Sequence, residues 1–328
     1  MRRILLAAGA AVLTLAVVEI TARVAARLIH RERGVRFDSE LGWRPLPNVR
    51  KIGTVWGVER PASSNTLGWR DRERSIQKAA GTTRIIAIGD SFTFGTAVDD
   101  GERFTDVLER ECGRAEFLNL SGSGYGPDQE LRLLETEALR YQPDLVLVTL
   151  YLASDVTDLQ HDRLYSLPKP YYRLREGRLE LVKPQASVDV RLREASYVYE
   201  LATRSFRGLI DEDHVAPEWE HADPLPLLQA VIARMADVAR EHGVRFAAVL
   251  AYDRTQFANE LTAQEAAARA IVKGIGIPVL DTYELFSPRV SAGIDLYAGR
   301  HWNPDGNALV ARALCQWPEV ADRLNHSQ

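Results

Sequence analysis

Cysteine is scarce in this 328-residue chain: Cys112 and Cys315 are the only two. Two thiols cannot build a disulfide scaffold or a cysteine metal centre. One bridge satisfies the count, but their distance in sequence lends it no support, so two buried free thiols are the favoured reading. Lysine is nearly absent, with Lys51, Lys78, Lys169, Lys183 and Lys273 against a large majority of arginine. An arginine bias that general means no single arginine marks a site by itself. An excess of charge of either sign is also missing. Lys and Arg total 41, Asp and Glu 45, for a net charge of -4, which withholds the basic footprint a nucleic-acid partner requires. There is no internal repeat and no low-complexity stretch, and 46% hydrophobic with 26% charged residues excludes a disordered or collagen-like chain.

Long apolar runs occur at one place on the surface of this pattern, the N-terminus. Met1-Arg2-Arg3 precedes an uncharged run from Ile4 to Val18, ended by Glu19. Fifteen residues fall short of the ~20 a spanning helix needs, but continuing through Ala22 gives a usable length. No small-x-small cleavage site follows, since the chain reads Glu19-Ile20-Thr21-Ala22-Arg23. An uncleaved signal anchor is therefore favoured over a cleaved signal peptide, with a buried soluble helix third. Arginines on both flanks leave the orientation signal mixed. The anchor reading puts the bulk of the chain outside the cytoplasm.

Residues 1–30 are thus read as the anchor, and 31–82, rich in Gly, Pro, Arg and Trp, as an irregular lead-in. From residue 83 strand and helix signals alternate. Strands are expected at Arg84–Gly89, Phe117–Leu120, Leu145–Leu152, Arg245–Ala251 and Pro278–Asp281, as short or continuous apolar runs. Helical spacing marks Phe104–Cys112, Gln129–Tyr141, Leu227–His242, Leu261–Gly274 and a closing helix over Asp305–Cys315. Residues 156–222 interrupt this rhythm as an insertion. It holds a hairpin signal around Glu176-Gly177, a helix over Ser196–Ile210, and the aromatics Tyr165, Tyr171, Tyr172, Tyr197, Tyr199 and Trp219. Those rings either line a substrate groove or form a satellite core. Alternation of this kind predicts an α/β fold over 83–328: a doubly wound, flavodoxin-like parallel sheet of about five strands with helices on both faces.

Ligands in such folds bind at the carboxyl ends of the strands. The first such end reads Gly89-Asp90-Ser91, which places Ser91 at a strand-to-helix junction, as a nucleophile or as a plain helix cap. The second is Ser121-Gly122-Ser123-Gly124-Tyr125-Gly126, a close-approach loop or an ordinary turn, without dinucleotide-binding spacing. Near the C-terminus, His301 precedes the closing helix, with Asn303 or Asp305 able to cap it. The remaining histidines considered, His161, His214, His221, His242 and His326, sit among charged loops and show no metal-ligand spacing.

Taken together, Gly89-Asp90-Ser91, Asn119 to Gln129, Leu150 to Asp155 and His301 to Gly306 resemble, in order, the four blocks of the SGNH (GDSL-type) hydrolases, and most of all their N-terminally anchored bacterial branch. The resemblance covers residues 40–320. It implies a serine esterase or acyl transferase that acts on a carboxylic ester, with an acylated glycan or lipid of the cell envelope as substrate, and that needs no metal or organic cofactor. Ser91 would be the nucleophile and His301 the base. The N–H groups of Ser91 and Gly124 would bind the oxyanion. Two positions depart from the family pattern. Ser154 stands where the asparagine oxyanion donor is expected, and Ala298 and Gly299 stand where the acid is expected, leaving Asp295 as the substitute. These departures keep a second function open, an SGNH-fold protein that binds envelope glycan or acts as an assembly subunit without cleaving.

Overall fold

The apolar runs become strands. In a computed structural model that describes residues 1–28, 34–55, 58–113, 115–164, 166–207, 214–215 and 222–325, Thr83–Gly89 (β1), Ala115–Ser121 (β2), Leu145–Leu150 (β3), Arg245–Leu250 (β4) and Val279–Asp281 (β5) form one sheet. All pairings are parallel and the order is β2-β1-β3-β4-β5. The order reverses between β1 and β3, which opens a crevice at the carboxyl ends of those strands. Successive side chains leave opposite faces of a strand. Ile86, Ile88, Val146, Val148 and Ala248 therefore enter one core layer, and Ile85, Ala87, Leu145, Leu147 and Val249 the other. A sheet covered on both faces has no polar alternation, so these strands are continuous apolar stretches in sequence.

The helices, in chain order, are Arg2–Leu28 (α1), Ser91–Phe94 (α2), Phe104–Cys112 (α3), Pro127–Thr136 (α4), Leu152–Asp158 (α5), Val188–Ala195 (α6), Tyr197–Arg207 (α7), Leu225–Glu241 (α8), Arg254–Ala258 (α9), Ala263–Gly274 (α10), Thr282–Ser291 (α11), Pro304–Gln316 (α12) and Pro318–Asn325 (α13). Leu131 and Leu134 of α4, Leu228 and Ile232 of α8 and Val272 of α10 cover one face of the sheet. Val107 and Leu108 of α3, Phe286 of α11 and Val310 and Leu314 of α12 cover the other. The helix expected over 129–141 stops at Thr136 and resumes as a 3₁₀ turn over Ala138–Tyr141.

Three expectations change. The lead-in is not irregular: Val35–Asp38 pairs with Gly42–Pro45, and Arg50–Val55 pairs with Val58–Ser63, both antiparallel. It also enters the core, with Leu41, Trp43 and Trp69 buried and the Trp69 Nε1–H donating to Glu137 at 3.0 Å. Its strands carry Arg, Gly and Pro where alternation would show, which hides them from a period-2 reading. The free-thiol reading fails as well. Cys112 ends α3, Cys315 lies in the last turn of α12, and the packing of these helices brings their Cα atoms to 5.9 Å in a disulfide. Finally, Tyr171 and Tyr172, on a hairpin of Tyr171–Arg175 and Arg178–Val182, belong to the main core and not to a separate satellite one. Tyr165, Trp219, His221 and His326 lie outside the described residues.

Candidate active site

The turn after β1 is dictated by space. A Cβ on Gly89 would stand 2.3 Å from Thr93 Oγ1 and 3.1 Å from Thr149. Only glycine fits there. Asp90 then caps α2, its Oδ1 accepting the Phe92 N–H at 2.9 Å, and Ser91 opens the helix. Gly95 closes the turn at φ 74°. Arg70, 2% exposed, reaches in from the lead-in and donates to Phe94 O at 3.0 Å, to Val98 O at 2.8 Å, to Gly95 O, and to Asp100 at 3.1 Å. Burial pushes its guanidinium down to about 10, still charged at neutral pH. Sequence reading missed Arg70 because a general arginine bias masks a buried one that braces the turn.

His301 arrives from a small hairpin. Tyr297–Ala298 pairs with His301–Trp302 across a turn at Gly299 and Arg300, with Gly299 at φ 63°. Asn303, the cap of α12, accepts the Gly306 N–H at 2.8 Å and fixes the exit of the loop. The imidazole Nε2 lies 2.8 Å from Ser91 Oγ, joining residues 210 positions apart. Phe92 packs against the ring with centroids 5.1 Å apart. Burial, then the Arg300 cation, hold the imidazole down at about 4, with the Asp253 carboxylate pulling the other way. At neutral pH the ring is therefore uncharged and able to take a proton. Its Nδ1 is buried and, among the described residues, has no hydrogen-bond partner.

Asp295 does not orient that nitrogen. Its side chain is 64% exposed, pairs with Arg254 and accepts the Tyr297 N–H at 3.1 Å. The physical reason is the hairpin itself, which sets Ala298, not Asp295, opposite His301. The buried carboxylate whose charge reaches His301 is Asp253, just past the end of β4. Its Oδ2 accepts from Arg300 Nε at 2.7 Å and from Tyr151 Oη at 2.8 Å, and Arg300 Nη2 donates to Tyr151 Oη at 2.7 Å. Tyr151 packs against Phe92 with ring centroids 5.0 Å apart and planes tilted by 45°. Asp253 thus holds the residue next to His301 and the wall behind Phe92. An acid directly after a predicted strand was the available signal for it.

Gly124 sits on the loop after β2 at φ 77°, and the start of that loop is tied to the turn after β1 by the Gly122 N–H to Gly89 O bond of 3.2 Å. Ser154 lies in the first turn of α5, its backbone N–H bonded to Tyr151 O at 3.0 Å. The surroundings of Asp90 are acidic. Ser91 Oγ is 3.4 Å from Asp90 Oδ2. Glu130 and Asp155 are fully buried, and among the described residues neither carboxyl has a hydrogen-bond partner of ordinary geometry. Burial, then the neighbouring carboxylates, raises both well above the usual range. Burial raises Asp90 and Asp158 to about 7. Lys169 neutralises Asp128 in a buried pair. Among the described residues no group of three or more His, Cys, Asp or Glu side chains is placed to hold a metal ion.

No protein-family model matches the sequence, and no curated protein is significantly similar to it. Solved structures similar to the chain include a member of the lipolytic G-D-S-L family from Veillonella parvula DSM 2008, at 14% identity over 70% of this chain and 95% of that one, TM-score 0.44. Another is the psychrotrophic esterase EstA from Pseudoalteromonas sp., at 13% identity over 75% and 96%, TM-score 0.40. A third is the lipase/acylhydrolase from Enterococcus faecalis, at 14% identity over 71% and 95%, TM-score 0.42. Likeness at this level assigns no activity to this chain.

Proposed function

We propose that this chain is a serine hydrolase or acyl transferase acting on a carboxylic ester, with Ser91 as nucleophile and His301 as general base. The observation that carries the reading is the 2.8 Å contact between Ser91 Oγ and a neutral His301 Nε2 at the carboxyl end of a parallel sheet. In the first step Ser91 Oγ bonds to the acyl carbon as its proton passes to Nε2. The N–H groups of Ser91 and Gly124 face the charge that develops on the carbonyl oxygen. The tetrahedral adduct collapses, the alcohol leaves with the Nε2 proton, and the acyl group stays on Ser91. Water or an acceptor hydroxyl then gives its proton to Nε2, attacks the acyl-enzyme and restores the serine. Asp253 holds Arg300 and, through the hairpin, the height of the imidazole.

The substrate class that suits an anchored enzyme is an acylated glycan or lipid of the cell envelope. Helix α1 is apolar over Arg2–Ala26 and its uncharged run from Ile4 to Val18 is exposed, as a membrane anchor requires. The Cys112–Cys315 disulfide suits an oxidising compartment, which supports an extracytoplasmic site. The unpartnered Nδ1 favours a second reading, a binding or assembly subunit that has lost turnover. A fluorophosphonate probe separates the two. Labelling that disappears in Ser91→Ala supports the esterase, and a wild-type chain that stays unlabelled while folded removes it.

A further inference from the structure

Helix α1 is not a free tether. Glu19, on its apolar stretch, reaches the start of α7: Oε1 accepts the Tyr197 N–H at 2.6 Å, and Oε2 accepts the Val198 N–H at 3.1 Å and the Ser196 hydroxyl at 2.8 Å. One turn on, Arg23 donates to Glu19 at 2.5 Å and to Ala195 O, the last carbonyl of α6, at 2.8 Å. An acid thus meets the positive end of one helix and a base the negative end of another, each with the favourable sign. The α6–α7 pair is in turn fixed to the body of the protein. Arg193 donates to Ser166 O at 2.9 Å, and Glu194 accepts the Phe37 N–H at 3.2 Å.

The apolar faces of this pair are open. On α6, Val190 and Arg193 are buried, while Val188 is 74% and Leu192 44% exposed. At 100° per residue these two pairs lie on opposite sides of the helix. On α7, Leu201 is 44% exposed. Nearby on α1, Val17, Val18, Ile20 and Val24 are exposed as well. The uncharged run from Ile4 to Val18 spans only about 22 Å as helix, less than the ~30 Å hydrocarbon core. A short span is accommodated by thinning the bilayer and by drawing its flanks to the interface. Glu19 lies directly after that run, and the α6–α7 junction is bonded to Glu19.

We propose that α6 and α7 form a membrane-interface platform, with Val188, Leu192 and Leu201 entering the headgroup–acyl boundary of the bilayer that α1 crosses. The Glu19–Arg23 clamp makes anchor, platform and catalytic body one rigid unit, so the site is held at a set height above the lipid. This depends on the anchor and not on the esterase chemistry.

Both native cysteines are in the disulfide, so a single added cysteine is a unique label. Val188→Cys, Leu192→Cys, Leu201→Cys and, as a control on the hairpin turn, Glu176→Cys would carry a polarity-sensitive fluorophore in the full chain reconstituted into phosphatidylcholine vesicles. Lipids with a shallow nitroxide are expected to quench the first three at least twofold more than the control. Adding Glu19→Ala and Arg23→Ala is expected to erase the difference while the thermal unfolding of the body stays unchanged. Equal quenching at all four sites, a chain that does not float with the vesicles, or a difference that survives the double substitution overturns the proposal.

Discussion

Ser91 Oγ has two neighbours whose surroundings are opposite in kind, His301 Nε2 at 2.8 Å and Asp90 Oδ2 at 3.4 Å. Around the imidazole the packing is aromatic and the far nitrogen has no partner. Around Asp90 the carboxyls of Glu130, Asp155 and Asp158 lie buried close enough to raise one another. The carboxyls beside the serine are pushed toward their neutral form, while the one carboxylate whose charge reaches the histidine, Asp253, makes no bond to its Nδ1. By distance the Ser91–His301 contact is the closer of the two.

The largest expected effect breaks the comparison at its centre. Ser91→Ala removes the group both sides act on, and release of acetate or p-nitrophenol from a short-chain ester is expected to fall at least ~10³-fold. Turnover that survives in the purified variant would exclude the covalent mechanism.

Supplying the missing charge is the next test. Ala298 stands opposite His301 on the same face of the hairpin, where facing Cβ atoms are ~5 Å apart. Ala298→Asp sets a carboxylate beside the orphaned Nδ1. The acid limb of kcat/KM is expected to climb from about 4 toward the ordinary histidine value, and kcat to rise about tenfold or more, a fraction of the ~10⁴ an orienting acid is worth in serine proteases. A limb that stays at its wild-type position would show that the imidazole does not take its proton at the rate-limiting step. Removing charge from the Arg300 side sharpens the same contrast. Asp253→Asn leaves the Arg300 cation uncompensated beside the forming imidazolium, and kcat is expected to drop roughly tenfold with KM little changed. A change confined to KM would place Asp253 in substrate binding instead.

These two sides also differ in how far sequence reveals them. The five strands were legible because burial on both faces leaves runs such as Leu145–Leu150 wholly apolar. The meeting of Ser91 and His301 was legible because the four blocks that resemble the SGNH hydrolases stand in order along the chain, each at a strand end or a loop before a helix, and it is from that resemblance that Gly124 was named. Asp295 was chosen by nearness along the chain, and a two-residue turn at Gly299 and Arg300 defeats that logic by presenting Ala298. Asp253, Arg70 and Glu130 act through packing between distant segments, and no local period encodes such contacts. The same holds for Cys112 and Cys315, paired only once α3 meets α12.

The smallest effect concerns stability rather than turnover and isolates the acidic layer. Folding raises the proton affinity of Asp90, Glu130, Asp155 and Asp158, so the native state binds more protons than the unfolded chain above pH ~4. Their stabilising contribution is complete below the unfolded carboxylate values. It is lost as pH rises, through about 7 for Asp90 and Asp158. Asp155→Asn removes one titrating member and keeps its shape. Between pH 5 and 8 the variant is expected to lose less in Tm than the wild type, by about 1.5 °C for each ~1 kcal/mol in a chain of this size. Parallel Tm curves for the two proteins would mean that Asp155 ionises in the folded state with a compensating partner, and the contrast between the two sides of Ser91 would lose its electrostatic basis. The sign matters more than the size: a hydrogen-bonded, ionised carboxylate layer would strengthen the fold as pH rises, and this layer is expected to weaken it.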